Sequence, residues 1–139
     1  RFKKVDSLIF EWAKTSKLDA MITKNWSTHE WLHFLNNLPS PLSIQQLEKL
    51  DAENHFTASG NSEILCVWLG LAIKNNYIKA YPKLEQFLVN TGRRKFLTPL
   101  YTELMKTDAG KMQAKAIYQK ARPNYHFVAT NTIDKLLAN

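Results

Sequence analysis

Residues 61–74 read Asn61-Ser62-Glu63-Ile64-Leu65-Cys66-Val67-Trp68-Leu69-Gly70-Leu71-Ala72-Ile73-Lys74, the most apolar run in the chain. Asn61 follows Gly60 and is a residue type whose side chain satisfies the first N–H groups of a helix. The run predicts a capped helix over 62–74 with a long hydrophobic face and a central, mostly buried position. Cys66, the single cysteine, lies among Ile64, Leu65, Val67, Trp68 and Leu71. A small buried apolar residue is expected there, not a reactive thiol, and no internal disulfide can form.

Outward from this segment the punctuation stays helical. Phe2, Val5, Leu8, Ile9 and Trp12 give a first amphipathic segment ending near Lys14. Ser27 begins a second, which Leu38-Pro39-Ser40-Pro41 breaks, and Ser43 caps a third through Ile44, Leu47 and Leu50. Toward the C-terminus helices are expected over 77–91, 93–106 and 109–121, with Pro82 and Pro99 near first turns or at kinks. Nothing reads as a strand hairpin. Helices of about 10 to 15 residues with short connections and no sustained heptads predict an all-α fold. The expected arrangement is a compact two-layer helical solenoid of armadillo or HEAT type, although no exact internal repeat is visible.

With 139 residues the chain has room for one core, so a single domain over 1–139 is expected. Charged residues make up 22% and hydrophobic ones 45%, the balance of a folded chain. No apolar stretch approaches the roughly 20 residues of a membrane span, and no cleavable leader is visible. The chain begins at Arg1, not Met, which suggests a piece of a longer protein whose missing part is N-terminal. A cytoplasmic location is expected. Asn25-Trp26-Ser27 fits the glycosylation triplet but has meaning only in a secreted protein.

The functional signal is Gly92-Arg93-Arg94-Lys95-Phe96. Apolar spacing before it ends a helix near Gly92, expected as a left-handed cap, and the apolar series Phe96, Leu97, Leu100, Tyr101, Leu104 opens the next helix at the basic residues. Three cations at a helix N-terminus oppose its dipole unless an anion joins them. The run reads as an anion seat with a carboxylate the obvious candidate; solvated surface charge is the bland alternative.

His29-Glu30-Trp31-Leu32-His33 competes with that reading because it matches the H-E-x-x-H spacing of zinc peptidases, two imidazoles one helical turn apart with a glutamate to polarise water. Each residue has another explanation. Ser27-x-x-Glu30 is a capping box, and on a helical wheel Trp31, Phe34, Leu35 and Leu38 share one face while His29, His33, Asn36 and Asn37 take the opposite one. Both histidines are then expected to point to water. No metal ligand and no catalytic residue is assigned in this chain. His55 and His126 are expected to be exposed or bonded to a partner.

Several segments carry a resemblance in one register. Gly92-Arg93-Arg94-Lys95-Phe96 with Pro99-Leu100-Tyr101 resembles the Gly-Arg-x-Lys-Phe-x-x-Pro-Leu-aromatic segment of the C-terminal helical domain of leukotriene A-4 hydrolase-like zinc aminopeptidases, a gluzincin metallopeptidase family. Asn61-Ser62-Glu63-Ile64 with Trp68-Leu69 is similar to that family's Asn-Ser-Glu-Ile helix. Ser27 with His29, Phe34 and Leu35 resembles an earlier segment, and Tyr118-Gln119 with His126 a later one. The resemblance implies the superhelical fold and a non-catalytic C-terminal domain that lines the substrate cleft. It also implies that Arg93 and Lys95 bind the carboxylate of short peptide substrates. Arg94 holds the variable position and receives no role. In such an enzyme zinc would sit in an N-terminal catalytic domain, the implied partner of this one, where it would activate the water that hydrolyses the first peptide bond. The family's third zinc ligand, a glutamate 19 residues beyond the second histidine, would fall at Ala52, and Glu53 misses it by one. Lipid epoxide hydrolysis is not implied.

The net charge is +7, with a sequence pI near 9.5. Basic residues run from Arg1, Lys3, Lys4 and Lys14 through Lys74 and Lys83 to the region 93–122, with no zinc-finger, RNP or Gly-rich clamp motif. That spread reads as solvated faces, so neither nucleic acid nor membrane is expected as a partner. A helical-repeat scaffold that binds other proteins is the alternative functional class.

Overall fold

The computed structural model describes residues 3–138, so Arg1 and Phe2, the first positions of the predicted opening helix, lie outside the described residues. The chain is all-α, and no strand occurs among the described residues. The helices are α1 (Lys3–Thr15), α2 (Ala20–Thr23), α3 (Thr28–Asn36), α4 (Ile44–Asn54), α5 (Ser62–Lys74), α6 (Tyr81–Asn90), α7 (Arg94–Leu104), α8 (Asp108–Ala121) and α9 (Phe127–Leu137). Short 3-10 turns occupy Phe56–Ala58, Ile78–Ala80 and Arg122–Asn124.

Contacts divide the chain into two units, one up to Trp68 and one from Leu69 onward, with the boundary inside α5. α5 has the bounds its sequence predicts. The Asn61 Oδ1 accepts from the N–H groups of Glu63 at 3.0 Å and Ile64 at 3.1 Å, and Leu65, Cys66, Trp68, Leu69, Ala72 and Ile73 are buried. Each large apolar side chain withdrawn from water in this way contributes about 2 kcal/mol.

In the first unit, capping boxes fix two helix starts. The Ser27 Oγ accepts from Glu30 N–H at 3.3 Å while the Glu30 Oε1 accepts from Ser27 N–H at 3.0 Å, and Ser43 with Gln46 repeats the pattern at 3.0 and 2.9 Å. α1 packs on α3. The core here is a relay of rings. Phe34 meets Trp12, Trp26 and Trp31 at 6.2, 5.6 and 6.1 Å between centroids; Trp31 continues to Phe56 at 5.4 Å and Phe56 to Trp68 at 4.9 Å. Most of these pairs are T-shaped, the arrangement that sets the positive edge of one ring against the negative face of the next. Trp68 also keeps its polar handle satisfied. Its Nε1–H donates to Thr57 Oγ1 at 2.9 Å, and that hydroxyl donates to Asp51 Oδ2 at 2.7 Å.

The second unit packs α6 on α8, α7 on α8 and α9, and α8 on α9. Helices that touch the next but one in sequence are compatible with the two-layer stacking expected of this segment. Its core bonds run through tyrosine hydroxyls. Tyr125 donates to the Leu88 carbonyl, which leaves the Tyr101 hydroxyl to donate to Tyr125 at 3.0 Å. Gly110 is required at the start of α8, since a Cβ there would stand 2.0 Å from the Leu104 carbonyl oxygen.

Some elements differ from the sequence expectations for local reasons. The expected helix 77–91 is a 3-10 turn followed by α6, with Pro82 in the first turn, and Pro99 stands inside α7. The helix expected over 93–106 stops at Leu104, and Thr107 caps α8 by accepting from Gly110 N–H at 3.0 Å. α2 and α9 were not expected. α2 buries Thr23 while Met21 and Ile22 are exposed, and α9 buries Ala129, Thr130, Ile133 and Leu137 behind the unusual cap His126. α2 is a single turn with its large apolar residues exposed, and the buried face of α9 opens with Ala129 and Thr130, so only Ile133 and Leu137 mark its period.

Candidate functional site

α6 ends at Asn90, and Thr91 leaves it in an extended conformation (φ −110°, ψ 129°). Arg93 is extended too (φ −83°, ψ 124°), so the chain turns from α6 to α7 without any left-handed residue. The left-handed Gly92 expected from sequence is therefore corrected: no glycine among the described residues has positive φ, and a Cβ at Gly92 would meet nothing within 4 Å. Arg93 serves as the N-cap of α7. Its carbonyl accepts from Phe96 N–H at 3.0 Å and Leu97 N–H at 3.1 Å, its side chain makes no capping bond, and the first turn contains no acid.

Arg93, Arg94 and Lys95 are all exposed, whereas Phe96 and Leu97 are buried. The two residues singled out by the resemblance come to the same aromatic ring. The Arg93 guanidinium carbon lies 5.8 Å and the Lys95 Nζ 5.1 Å from the centroid of Phe96. Phe96 also meets Phe87, edge to face at 5.8 Å. A ring attracts cations through its quadrupole and leaves their formal charge in place. Arg94 goes elsewhere. Its Nη1 donates to Thr132 Oγ1 on α9 at 3.4 Å, a long bond at an exposed position.

Chemically, this arrangement offers donors only: the planar fork of Arg93 and the ammonium of Lys95 can bind an oxyanion.

The H-E-x-x-H residues take other tasks. Glu30 completes the α3 capping box, also accepting from Ser27 Oγ at 3.0 Å, and His29 is exposed. His33 does not simply face water as expected. Its side chain is 25% exposed and Nε2 donates to Asp6 Oδ1 on α1 at 2.7 Å, while Asn37 Nδ2 donates toward Nδ1 at 3.4 Å. Asp6 is 27 positions away, beyond the reach of a helical wheel. Among the described residues no three His, Cys, Asp or Glu side chains come together in a group that could hold a metal ion. His55 is exposed and left-handed (φ 55°) at the end of α4, and His126 Nδ1 accepts from Val128 N–H at 3.3 Å.

One polar cluster escaped sequence reasoning. Arg122 grips Asp134 from Nη2 at 2.9 Å and Nε at 3.1 Å, and Tyr118 donates to Asp134 Oδ1 at 2.5 Å. These bonds, that of Arg122 first, hold the Asp134 carboxyl down at about 2. Burial, then the bond to that carboxylate, pushes the Tyr118 phenol up to about 12. The cluster ties the 3-10 turn after α8 to α9. No local motif spans residues 118, 122 and 134, so only the fold brings them together.

Comparison with known proteins meets the same segments. The chain is 25% identical over 125 residues to aminopeptidase B of Mus musculus and, at the same identity and length, to that of Homo sapiens, in each case over 87% of this chain and 19% of the relative. It is 28% identical over 116 residues to leucine aminopeptidase 2 of Chaetomium globosum, over 81% of this chain and 19% of that protein. The chain thus spans about a fifth of the length of the curated relatives it matches. Residues 26–137, which take in α3 through α9 and the Arg93–Lys95 turn, match the family model described as "Leukotriene A4 hydrolase, C-terminal", and the chain belongs to that family.

Proposed function

We propose that the chain is the single C-terminal helical domain of a longer zinc aminopeptidase, and that Arg93 and Lys95 hold the terminal carboxylate of short peptide substrates at one wall of the cleft. The observation that carries this reading is the convergence of both cations on the Phe96 ring at the start of α7. Family membership and the names of the relatives supply the reaction class. Bond cleavage, and the zinc that would assist it, belong to an N-terminal catalytic domain outside this chain, which is this domain's partner in the proposal. A cytoplasmic, reducing setting is part of the same reading.

In this role the domain supplies orientation. A guanidinium and an ammonium anchored at one end of a peptide fix the distance from its carboxylate to the scissile bond, and binding energy at the remote end aligns the reacting end. Charge-assisted bonds of this kind contribute about 1.5–3 kcal/mol each. In the full-length enzyme Arg93→Ala is therefore expected to lower kcat/KM for tripeptides with a free carboxylate by about 10- to 100-fold. Small aminoacyl amides that lack the carboxylate should be turned over nearly as before. Equal losses on the two substrate types would remove the proposed role.

A further inference from the structure

The positive charge of the chain is not spread evenly once it is sorted by unit. Residues 69–139 contain twelve Lys and Arg against four Asp and Glu, whereas residues 1–68 contain seven against eight. Three of the four acids of the second unit already face a cation: Glu85 meets Lys120 at 3.3 Å, Glu103 meets Lys106 at 3.3 Å and Asp134 meets Arg122 at 2.9 Å. Pairing within the unit leaves its surplus of positive charge unchanged. The turn that carries Arg93 and Lys95 belongs to this unit of surplus positive charge.

Arg94 is the nearest part of it. It stands between those two residues in sequence and is exposed, and its bond to Thr132 leads to α9, where the exposed Lys135 follows less than one turn later. A single exposed bond of 3.4 Å is readily exchanged for a stronger one to a carboxylate. A surface of one sign also concentrates ligands of the opposite sign, the more so at low ionic strength.

We infer that the site selects short peptides bearing a second negative charge, with Asp or Glu as the C-terminal residue, and that Arg94 receives that additional carboxylate. This rests on the proposed role of Arg93 and Lys95 and specifies the substrate class of the same site. Arg94 is then a specificity-determining residue, not a catalytic one.

The test uses the full-length enzyme and three tripeptides alike in their first two residues: one ending in Gln amide, one in Gln with a free carboxylate, one in Glu with a free carboxylate. The Glu peptide should exceed the Gln acid in kcat/KM by about tenfold at low ionic strength, with the ratio shrinking as salt is added. Arg94→Gln should cut that ratio by about threefold or more, and Arg94→Lys should keep most of it. Equal turnover of the Glu and Gln acids, or a ratio indifferent to Arg94→Gln, would overturn the inference while leaving the preference for acid over amide intact. Equal turnover of the Gln acid and the Gln amide would instead bring down the carboxylate reading, and this inference with it.

Discussion

All four tryptophans, Trp12, Trp26, Trp31 and Trp68, fall in residues 1–68, and all five tyrosines fall in residues 69–139. The first unit builds its core from rings that need little hydrogen bonding, and its charges nearly balance. The second bonds its core through hydroxyls and carries the positive surplus. The contrast separates two ways of making helices cohere. Ring stacking depends on shape and tolerates a change of polarity poorly, whereas a hydroxyl relay depends on each donor meeting its acceptor. It also means that the tryptophan fluorescence of this chain originates in the first unit.

The sharpest break of the ring relay is Phe34→Ala, because Phe34 contacts three tryptophans and is fully buried. A loss of about 3–5 kcal/mol is expected in urea unfolding, with a changed tryptophan emission maximum in the folded protein. An unchanged emission maximum would deny that these rings form one cluster. Gly110→Ala comes next, at about 2–3 kcal/mol, since the Leu104 carbonyl must move to admit the methyl group. Here the folded-state emission should stay as it was, because the strain lies in the unit without tryptophan.

Within the hydroxyl relay the order of two conservative changes is predicted. Tyr125→Phe leaves both the Tyr101 hydroxyl and the Leu88 carbonyl without their partner, at about 2 kcal/mol. Tyr101→Phe removes one donor and leaves the bond from Tyr125 to Leu88 in place, at about 1 kcal/mol. A reversed order in thermal or urea unfolding would contradict the direction of the relay.

The smallest effect is one of pH. Asp134 is held near 2, below its ordinary 3.8, so its contribution is complete above 3.8 and is lost as pH falls through the folded value. The difference in thermal midpoint between the native chain and Asp134→Asn should therefore be present at about pH 5 and close toward about pH 2. A gap that stays constant over that range would show that the Arg122–Tyr118–Asp134 cluster is not what depresses the carboxyl.

What could be read from sequence was what local chemistry encodes. Asn61, Ser27 and Ser43 each cap a helix through a partner two or three residues away, so their spacing alone located three helix starts. Gly92 misled because a glycine after a helix suggests a left-handed cap, whereas here Thr91 and Arg93 make the turn in extended conformations. The His33–Asp6 bond and the tyrosine relay join residues far apart in the chain and left no periodic trace. Arg93 and Lys95 could be seen as an anion seat from the helix start they occupy, but their particular role came from the family resemblance. Both lie near the ring of Phe96, Arg93 from the N-cap three residues before it and Lys95 from the adjacent position.

The most direct test crosses substrate and protein changes in the full-length enzyme. A tripeptide and its C-terminal amide are each assayed with the native protein, with Arg93→Ala and with Lys95→Ala. If both cations hold the carboxylate, amidation lowers kcat/KM steeply for the native enzyme and much less for either variant, a coupling of about 1.5–3 kcal/mol. Losses that simply multiply, with amidation as harmful to the variants as to the native enzyme, would contradict the account.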